Sequence, residues 1–467
     1  MYHSQAKKSG DRHLGLSIVI LAAGQGTRMR SDLPKVLQPL AGKPLLSHVL
    51  ACSKALDADD ICVVYGHGAK LVQSYYANES LRWALQAEQL GTGHALQQAM
   101  PGTPDANRAL ILSGDVPLLM PGTLSELLRE TPPNDMAVLT VDMKDPTGYG
   151  RVIRKHGSVS AIIEDKDASA DEKAVLEINT GVMLCPVEAL KRWLANLSND
   201  NAQGEYYLTD IIAMAVNDKV TVHGIKASSP VEVMGINDKK QLAEAERALQ
   251  ARLVDELMSE GVGFADPARV DIRGTLTCGK DVFIDVNAVF EGDVELGDGT
   301  KIESNNLIRD SRIGAGTVVH SNCHIEDSST GQNCEIGPFA RMRPGAELAS
   351  NVKIGNFVEI KKSTVADGSK VNHLAYIGDT EIGTGVNVGA GTITCNYDGV
   401  AKHKTKIGDN ASIGSNVNLV APVEVGEGAT IGAGSTISRP APANELTVAR
   451  VKQTTVKGWK RPVKKGS

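Results

Sequence analysis

From Leu16 onward, short apolar runs alternate with stretches of helical period. The runs are SIVILAA at 17–23, ICVVYG at 61–66 and ALILSGD at 109–115, with a helix after Lys43 and another from about 91. Runs this short, separated by helical stretches, predict a mostly parallel sheet with crossover helices. The alternation continues through NTGVMLC at 179–185 and a helix in EYYLTDIIAMAV at 205–216 to a last strand, VEVMGI, at 231–236. DKKQLAEAERALQARLVDELMSEG then places Leu242, Leu249, Leu253 and Leu257 on one face, with Asn237 or Asp238 as cap and Gly261 as stop. This predicts one connecting helix.

A second regime runs from about 263 to 440, where an aliphatic residue followed by Gly or a small polar residue recurs at six-residue steps. Ile407 and Ile413 are six apart, and Ile336 and Ile354 eighteen. Three hexapeptides per turn predict a parallel β-helix whose aliphatic residues point inward and stack coil on coil. Strands of a β-sandwich would recur at roughly 8 to 12 residues instead. Between 377 and 440 the only aromatic is Tyr397, as a narrow interior requires. The run TCNYDGVAKHKT at 394–405 breaks the period, so it is expected to project as a loop on the binding edge. The expected boundaries are a frayed extension at 1–15, an α/β domain at 16–239, the helix at 240–261, the β-helix at 262–448 and a tail at 449–467. From Arg450 that tail holds seven Lys or Arg and no acid.

The 467 residues exceed what one core usually organises. Hydrophobic residues at 42% and charged residues at 22% exclude the low-hydrophobicity regime of disorder. Forty-nine basic against fifty-five acidic side chains give a net charge of -6, so no global positive field invites nucleic acid. The longest apolar stretch, LSIVILAA at 16–23, falls far short of the roughly 20 residues of a membrane helix, and residues 1–15 hold no apolar signal core. A cytoplasmic protein without membrane contact is expected. Seven cysteines without a C-x-x-C pair fit neither a disulfide framework nor a zinc site and are expected to be reduced.

SIVILAA ends in GQGTRMRSDLPK at 24–35. Met29 stands where a dinucleotide-binding loop needs its third Gly, and no G-K-[ST] follows. Two glycines at a strand's carboxyl end still let backbone N–H groups approach phosphate oxygens, and Arg28 and Lys35 add cations. A plain turn is the alternative. As L-x-x-G-x-G-T-x-M-x-x-x-x-P-K, Leu21 to Lys35 resembles the signature of sugar-1-phosphate nucleotidylyltransferases. QAEQLGTGHA at 86–95, SGDVPL at 113–118, PTGYGR at 146–151, EINTG at 177–181 and GEYYLTD at 204–210 narrow the likeness. They are similar to one half of the bacterial bifunctional enzymes that join an N-acetylglucosamine-1-phosphate uridylyltransferase to a glucosamine-1-phosphate acetyltransferase. The likeness runs from Leu16 through the repeats to the C-terminus. It implies an α/β Rossmann-like nucleotidyltransferase domain, a linker helix and a left-handed parallel β-helix of hexapeptide repeats.

The same resemblance assigns residues. Leu21, Ala22, Ala23, Gly24, Arg28, Lys35, Ser113 and Gly114 would hold UTP, and Gln86, Gly91 and Thr92 would face the uracil. Gly150, Glu164, Asn179, Tyr207 and Thr209 would hold the sugar. Asp115, closing a strand where open α/β sheets bind ligands, and Asn237 would hold Mg2+. Read without the family, Asp115 is a turn or helix cap, Glu164 a solvated charge and Asn237 the cap of the linker helix; one amide oxygen cannot serve both cap and metal. Gln25 replaces a residue that is often Lys in this loop.

For the second half the resemblance makes His373 the general base that accepts a proton from the 2-amine of glucosamine-1-phosphate. Arg343 and Lys361 would hold the sugar phosphate, with Tyr376 and Asn387 orienting the ring. Acetyl-CoA would touch Ala390, Asn396, Tyr397, Ser415, Ala433 and Arg450, with an N–H near Ala390 receiving the oxyanion and Lys452 pairing with cofactor phosphates. The expected products are N-acetylglucosamine-1-phosphate and then UDP-N-acetylglucosamine with pyrophosphate, made by a homotrimer. The alternative is a single-activity sugar-1-phosphate nucleotidylyltransferase whose β-helix is only structural.

Overall fold

The computed structural model describes residues 15–66 and 68–462. The extension expected at 1–15 lies, except for Gly15, outside them, as do the last five residues of the expected tail. The chain forms two compact units, one ending at Leu249 and the other beginning at Gln250.

In the first unit the buried strand Leu16–Ala22 lies between Asp60–Tyr65 and Arg108–Ser113, parallel to both. Across the sheet the order is Val222–Lys226, Met136–Asp142, Glu177–Pro186, Arg108–Ser113, Leu16–Ala22, Asp60–Tyr65 and Arg82–Leu85. Only Glu177–Pro186 runs antiparallel to its neighbours on this path, so the expected mostly parallel sheet is met. A hairpin of Arg151–Lys155 and Ser158–Ile163 branches from it. Apolar side chains on the two faces of the sheet form separate cores, one under Leu96, Leu190 and Trp193 and the other under Leu46, Leu50 and Leu124.

Two expectations fail here. VEVMGI is a turn, because Val222–Lys226 already pairs with Met136–Asp142 on that side of the sheet. Glu232 pins the turn: its carboxylate accepts from Met120 N at 3.2 Å and from Ser228 Oγ at 3.1 Å, while Val233 and Ile236 are buried. The helix expected over 205–216 is shorter, a tight turn at Leu208–Asp210 and then Ile211–Asn217, because Glu205 to Tyr207 extend along the loop at 90–93. The long helix is Lys239–Ser259, and the division between units falls inside it. Asp238 is its cap, accepting from Gln241 N at 2.9 Å. In the second unit, buried Gln250 exchanges two hydrogen bonds with the backbone of Ile272, satisfying polar groups of the first coil's strand that have no preceding coil to pair with.

The second unit is the expected left-handed parallel β-helix. Ile302 pairs with Val319 and Ile336 with Ile354, steps of 17 and 18 residues. Ile284, Ile302, Val319, Ile336, Ile354, Val371, Val388, Ile413 and Ile431 form one buried interior column. At the insertion the step grows to 25, from Thr380 to Thr405, and the extra residues form an exposed loop bridged between Tyr397 and Lys402. No helix among the described residues is long and apolar enough to cross a membrane.

Phe290, fully buried, is the largest side chain inside the coil. Phe290→Ala is expected to destabilise the C-terminal unit by about 3–5 kcal/mol, since a narrow coil cannot collapse onto the cavity. A lowered midpoint of that unit's denaturant unfolding would show it.

Candidate active sites

At the carboxyl ends of Leu16–Ala22 and Arg108–Ser113 lies a cavity of about 270 Å³. It gathers Leu21, Ala22, Ala23, Gly24, Lys35, Gln86, Gly91, Thr92, Ser113 and Asp115 from four separate segments. Gly26 has φ +63, and a Cβ there would stand 2.7 Å from the Lys35 Cβ, so the loop can close over Lys35 only without a side chain. Gly91, at φ +112, passes within 2.6 Å of Tyr206 O when given a Cβ. Gly114 N donates to Leu21 O at 2.9 Å, tying the two strand ends together. Arg28 sits exposed on the turn Thr27–Met29, outside this lining.

The Lys35 ammonium donates to Asp115 and, at 3.2 Å, to Asn237 Oδ1. Asp238 caps the helix and the Asn237 oxygen accepts from Lys35, so the cap reading of Asn237 fails. A carboxylate and an amide oxygen thus converge on one cation, and two hard oxygens suit a magnesium ion that keeps waters and substrate oxygens as its other ligands. Among the described residues no cluster of three or more His, Cys, Asp or Glu offers an all-protein metal cage.

The residues expected to hold the sugar form a second group. Thr209 Oγ1 donates to Glu164 Oε1 at 2.9 Å, a Cβ on Gly150 would stand 3.5 Å from the same oxygen, and Asn179 N donates to Gly150 O at 2.9 Å. Tyr207 accepts from Gln203 Nε2 at 3.0 Å. Burial pushes the Glu164 carboxyl above the ordinary range, the Thr209 hydrogen bond opposing it and Asp210, Asp167 and Asp165 adding to it.

In the β-helix the register decides which residues meet. Val371, Val388, Ile413 and Ile431 pair in succession, so the residues two places further on, His373, Ala390, Ser415 and Ala433, form one column along an edge. Adjacent members are about 4.8 Å apart by strand spacing. The Arg450 guanidinium reaches this column, donating to Ala433 O at 2.7 Å. On the adjoining face Arg343 pairs with Lys361 and Lys361 with Gly378, next to Tyr376. Arg343 bridges to Glu359 at 2.8 Å; buried Asn396 donates to Asp379 at 2.5 Å, and Lys361 lies 3.9 Å from that carboxylate. Tyr397 is exposed on the inserted loop. Asn387 stands apart, outward on the sheet of Lys370–His373 rather than on the sheet of Arg343, Lys361 and Tyr376.

Residues 18–203 match the MobA-like NTP transferase domain, and residues 404–439 match the bacterial transferase hexapeptide (six repeats). Over 451 residues the chain is 55% identical to the Bifunctional protein GlmU of Aromatoleum aromaticum, covering 96% of this chain and 99% of that one. It is 55% identical over 450 residues to the protein of that name from an Azoarcus species, covering 96% and 100%. The Marinobacter nauticus protein of the same name is 54% identical over 450 residues, covering 96% and 99%. The chain belongs to the GlmU family. It is accordingly a bifunctional transferase, a uridylyltransferase joined to a glucosamine-1-phosphate N-acetyltransferase, as the motifs led one to expect.

Several residues of the chain escaped the sequence reading. Asn356 pairs in register with His373, and its Oδ1 lies 2.8 Å from His373 Nδ1. Counting one coil back from His373 finds it. Lys402, on the inserted loop, lies beside Lys361, which holds its ammonium below the ordinary lysine range by hydrogen bonding and repulsion. Gln89 and Glu205 line the same cavity as Lys35 and Asp115; Glu205 belongs to the GEYYLTD motif but carries no side-chain signal of its own.

Because the folded Glu164 carboxyl titrates above its unfolded value, its ionisation costs stability as pH rises through that window. Glu164→Gln is therefore expected to raise the unfolding temperature of the N-terminal unit at neutral pH, with the gain vanishing at acid pH. Equal gains at both pH values would refute the assignment of the cost to buried charge.

Proposed function

We propose that uridylyl transfer occurs at Lys35, Asp115 and Asn237 and acetyl transfer at His373, in a homotrimer. The observation that carries the reading is the separation of the two constellations: one gathers Lys35, Asp115 and Asn237 beside a cavity in the first unit, and the other puts His373 in one column with Ala390, Ser415 and Ala433 in the second. In the first unit a phosphate oxygen of N-acetylglucosamine-1-phosphate attacks the α-phosphorus of UTP and pyrophosphate leaves. No general base is required, because the attacking phosphate is already anionic. The 24–26 loop and Lys35 position the triphosphate, Gln86, Gly91 and Thr92 face the base, and Glu164, Thr209 and Asn179 hold the sugar hydroxyls. Asp115 and Asn237 would hold magnesium, which when bound neutralises triphosphate charge.

In the second unit Asn356 accepts from Nδ1 of His373, which leaves Nε2 with its lone pair. That nitrogen takes the proton from the 2-amine of glucosamine-1-phosphate as the amine attacks the thioester carbonyl; coenzyme A leaves as the thiol. Gly389 N and Gly391 N are spent on Ile413 O and His373 O, and the Ala390 N–H between them is the group offered to the oxyanion. Arg343, Lys361 and Lys402 present cations to the sugar phosphate, while Ala390, Ser415 and Ala433 let the flexible arm of acetyl-CoA lie close along the edge. Seven free thiols and the nucleotide and coenzyme A substrates support a reading of the reaction as cytoplasmic.

A further column, of left-handed backbone positions at a corner of the coil, supports the trimer. Elsewhere it uses residues that tolerate a left-handed backbone: Asn287, Asn305, Asn322, Gly391, Asn416 and Gly434. Beside His373 it carries Phe339, Phe357 and Leu374, with φ between +49 and +57 and exposures of 49%, 55% and 62%. The two rings stack at 5.3 Å. Strained, exposed apolar side chains next to a catalytic group fit burial against a neighbouring copy, and Asn387, which faces away from this chain's own cluster, fits service to the neighbour's.

Asp115→Ala is expected to abolish uridylyl transfer and spare acetyl transfer, and His373→Ala to do the reverse, with pyrophosphate and thiol release assayed separately. Loss of both activities in either folded variant would defeat the two-site reading. Phe357→Asn restores the residue type used elsewhere in the corner column. It is expected to shift sedimentation toward monomer and lower acetyl transfer while uridylyl transfer persists; a monomer with full acetyl transfer would overturn the trimer.

A further inference from the structure

We propose that His94 selects the nucleobase by holding the Gln86 side-chain amide in one orientation. The inference rests on the reading that Gln86 faces the base. Gln86 follows the strand Arg82–Leu85, its own N–H bonded to Tyr65 O at 2.8 Å, and its side chain is 3% exposed at the wall of the nucleotide cavity. The amide nitrogen Nε2 stands 3.1 Å from Gly91 O and 3.2 Å from His94 Nδ1. A carbonyl oxygen only accepts, so the atom facing Gly91 O is the NH2 group; its second hydrogen is then spent on the lone pair of His94 Nδ1. Both amide hydrogens are used within the protein. What remains for the base is the acceptor Oε1.

An acceptor at that place discriminates among pyrimidines. Uracil presents an N3–H, which can donate to Oε1. Cytosine carries a lone pair on N3 and would leave two acceptors opposed in a buried site. If the amide turned over, Nε2 could donate to cytosine, but Oε1 would then confront Gly91 O, and His94 would have to move its ring proton from Nε2 to Nδ1. His94 can hold its place because it lies in the first turn of the helix Thr92–Ala99, with its ring centroid 6.4 Å from that of Tyr206. It is a positioning residue: it acts on the base through Gln86.

The test compares kcat/KM for UTP and CTP in the full-length protein, with N-acetylglucosamine-1-phosphate and magnesium, by pyrophosphate release. His94→Leu removes the Nδ1 acceptor and is expected to lower the UTP-to-CTP ratio about tenfold, the preference carried by one hydrogen bond. His94→Asn places an amide oxygen where Nδ1 stood and is expected to keep the ratio near that of the parent, which a general packing role for the ring would not produce. An unchanged ratio in His94→Leu, with Gln86→Ala lowering it, would overturn the role of His94 while preserving that of Gln86. An unchanged ratio and UTP KM in Gln86→Ala would overturn the underlying reading of the base site, and the proposal with it.

Discussion

Each coil of the C-terminal unit after the first pairs its backbone in parallel with the coil before it, and this register governs the rest of that unit. It stacks Ile and Val into one dry column and, on the same rungs, lines up whatever points outward. His373 meets Asn356 because they are register partners, and Ala390, Ser415 and Ala433 share an edge because their neighbours two places back are paired in the interior. The candidate site is thus a by-product of a constraint whose energetic purpose is burial. The insertion at 394–405 is tolerated because it leaves the interior column through Ile413 in step, while bringing Lys402 beside Lys361.

The first unit solves the problem of binding charge differently. Strands ending at Ala22 and Ser113 leave backbone groups and small residues around a cavity, and a lysine from the following loop reaches a carboxylate and an amide oxygen there. Lys35, Asp115 and Asn237 lie far apart in sequence and are joined only by the fold; the conformation of each approach is set locally, by Gly26 for Lys35 and by the Asp238 cap for Asn237. Where the first unit buries a carboxylate, as at Glu164, burial and the nearby Asp210, Asp167 and Asp165 make its charge costly, and the Thr209 hydrogen bond offsets only part of that. A hydroxyl group that donated to this carboxylate would offset part of that cost.

The places where pattern misled share a cause. VEVMGI alternates like a strand, but Glu232 at its centre finds its partners in a turn and the sheet position is already taken by Val222–Lys226. EYYLTDIIAMAV reads as one helix, yet its first residues run beside the cavity of Lys35 and Asp115, where Gly93 N donates to Tyr206 O. In both, a tertiary hydrogen bond outweighs local periodicity.

From the sequence alone came the two architectures, the six-residue period, the glycine loop and the family motifs, because each is a local or strictly periodic pattern that survives without knowledge of contacts. Sequence also named His373 and Asp115, through motifs. Tertiary structure alone decided that Asp238 rather than Asn237 caps the helix, that Asn356 faces His373, and that both hydrogens of the Gln86 amide are already spent. Those facts depend on which polar atoms lie within about 3 Å of one another. No periodicity encodes such distances, because they arise when the sheet and the coil bring remote segments into register.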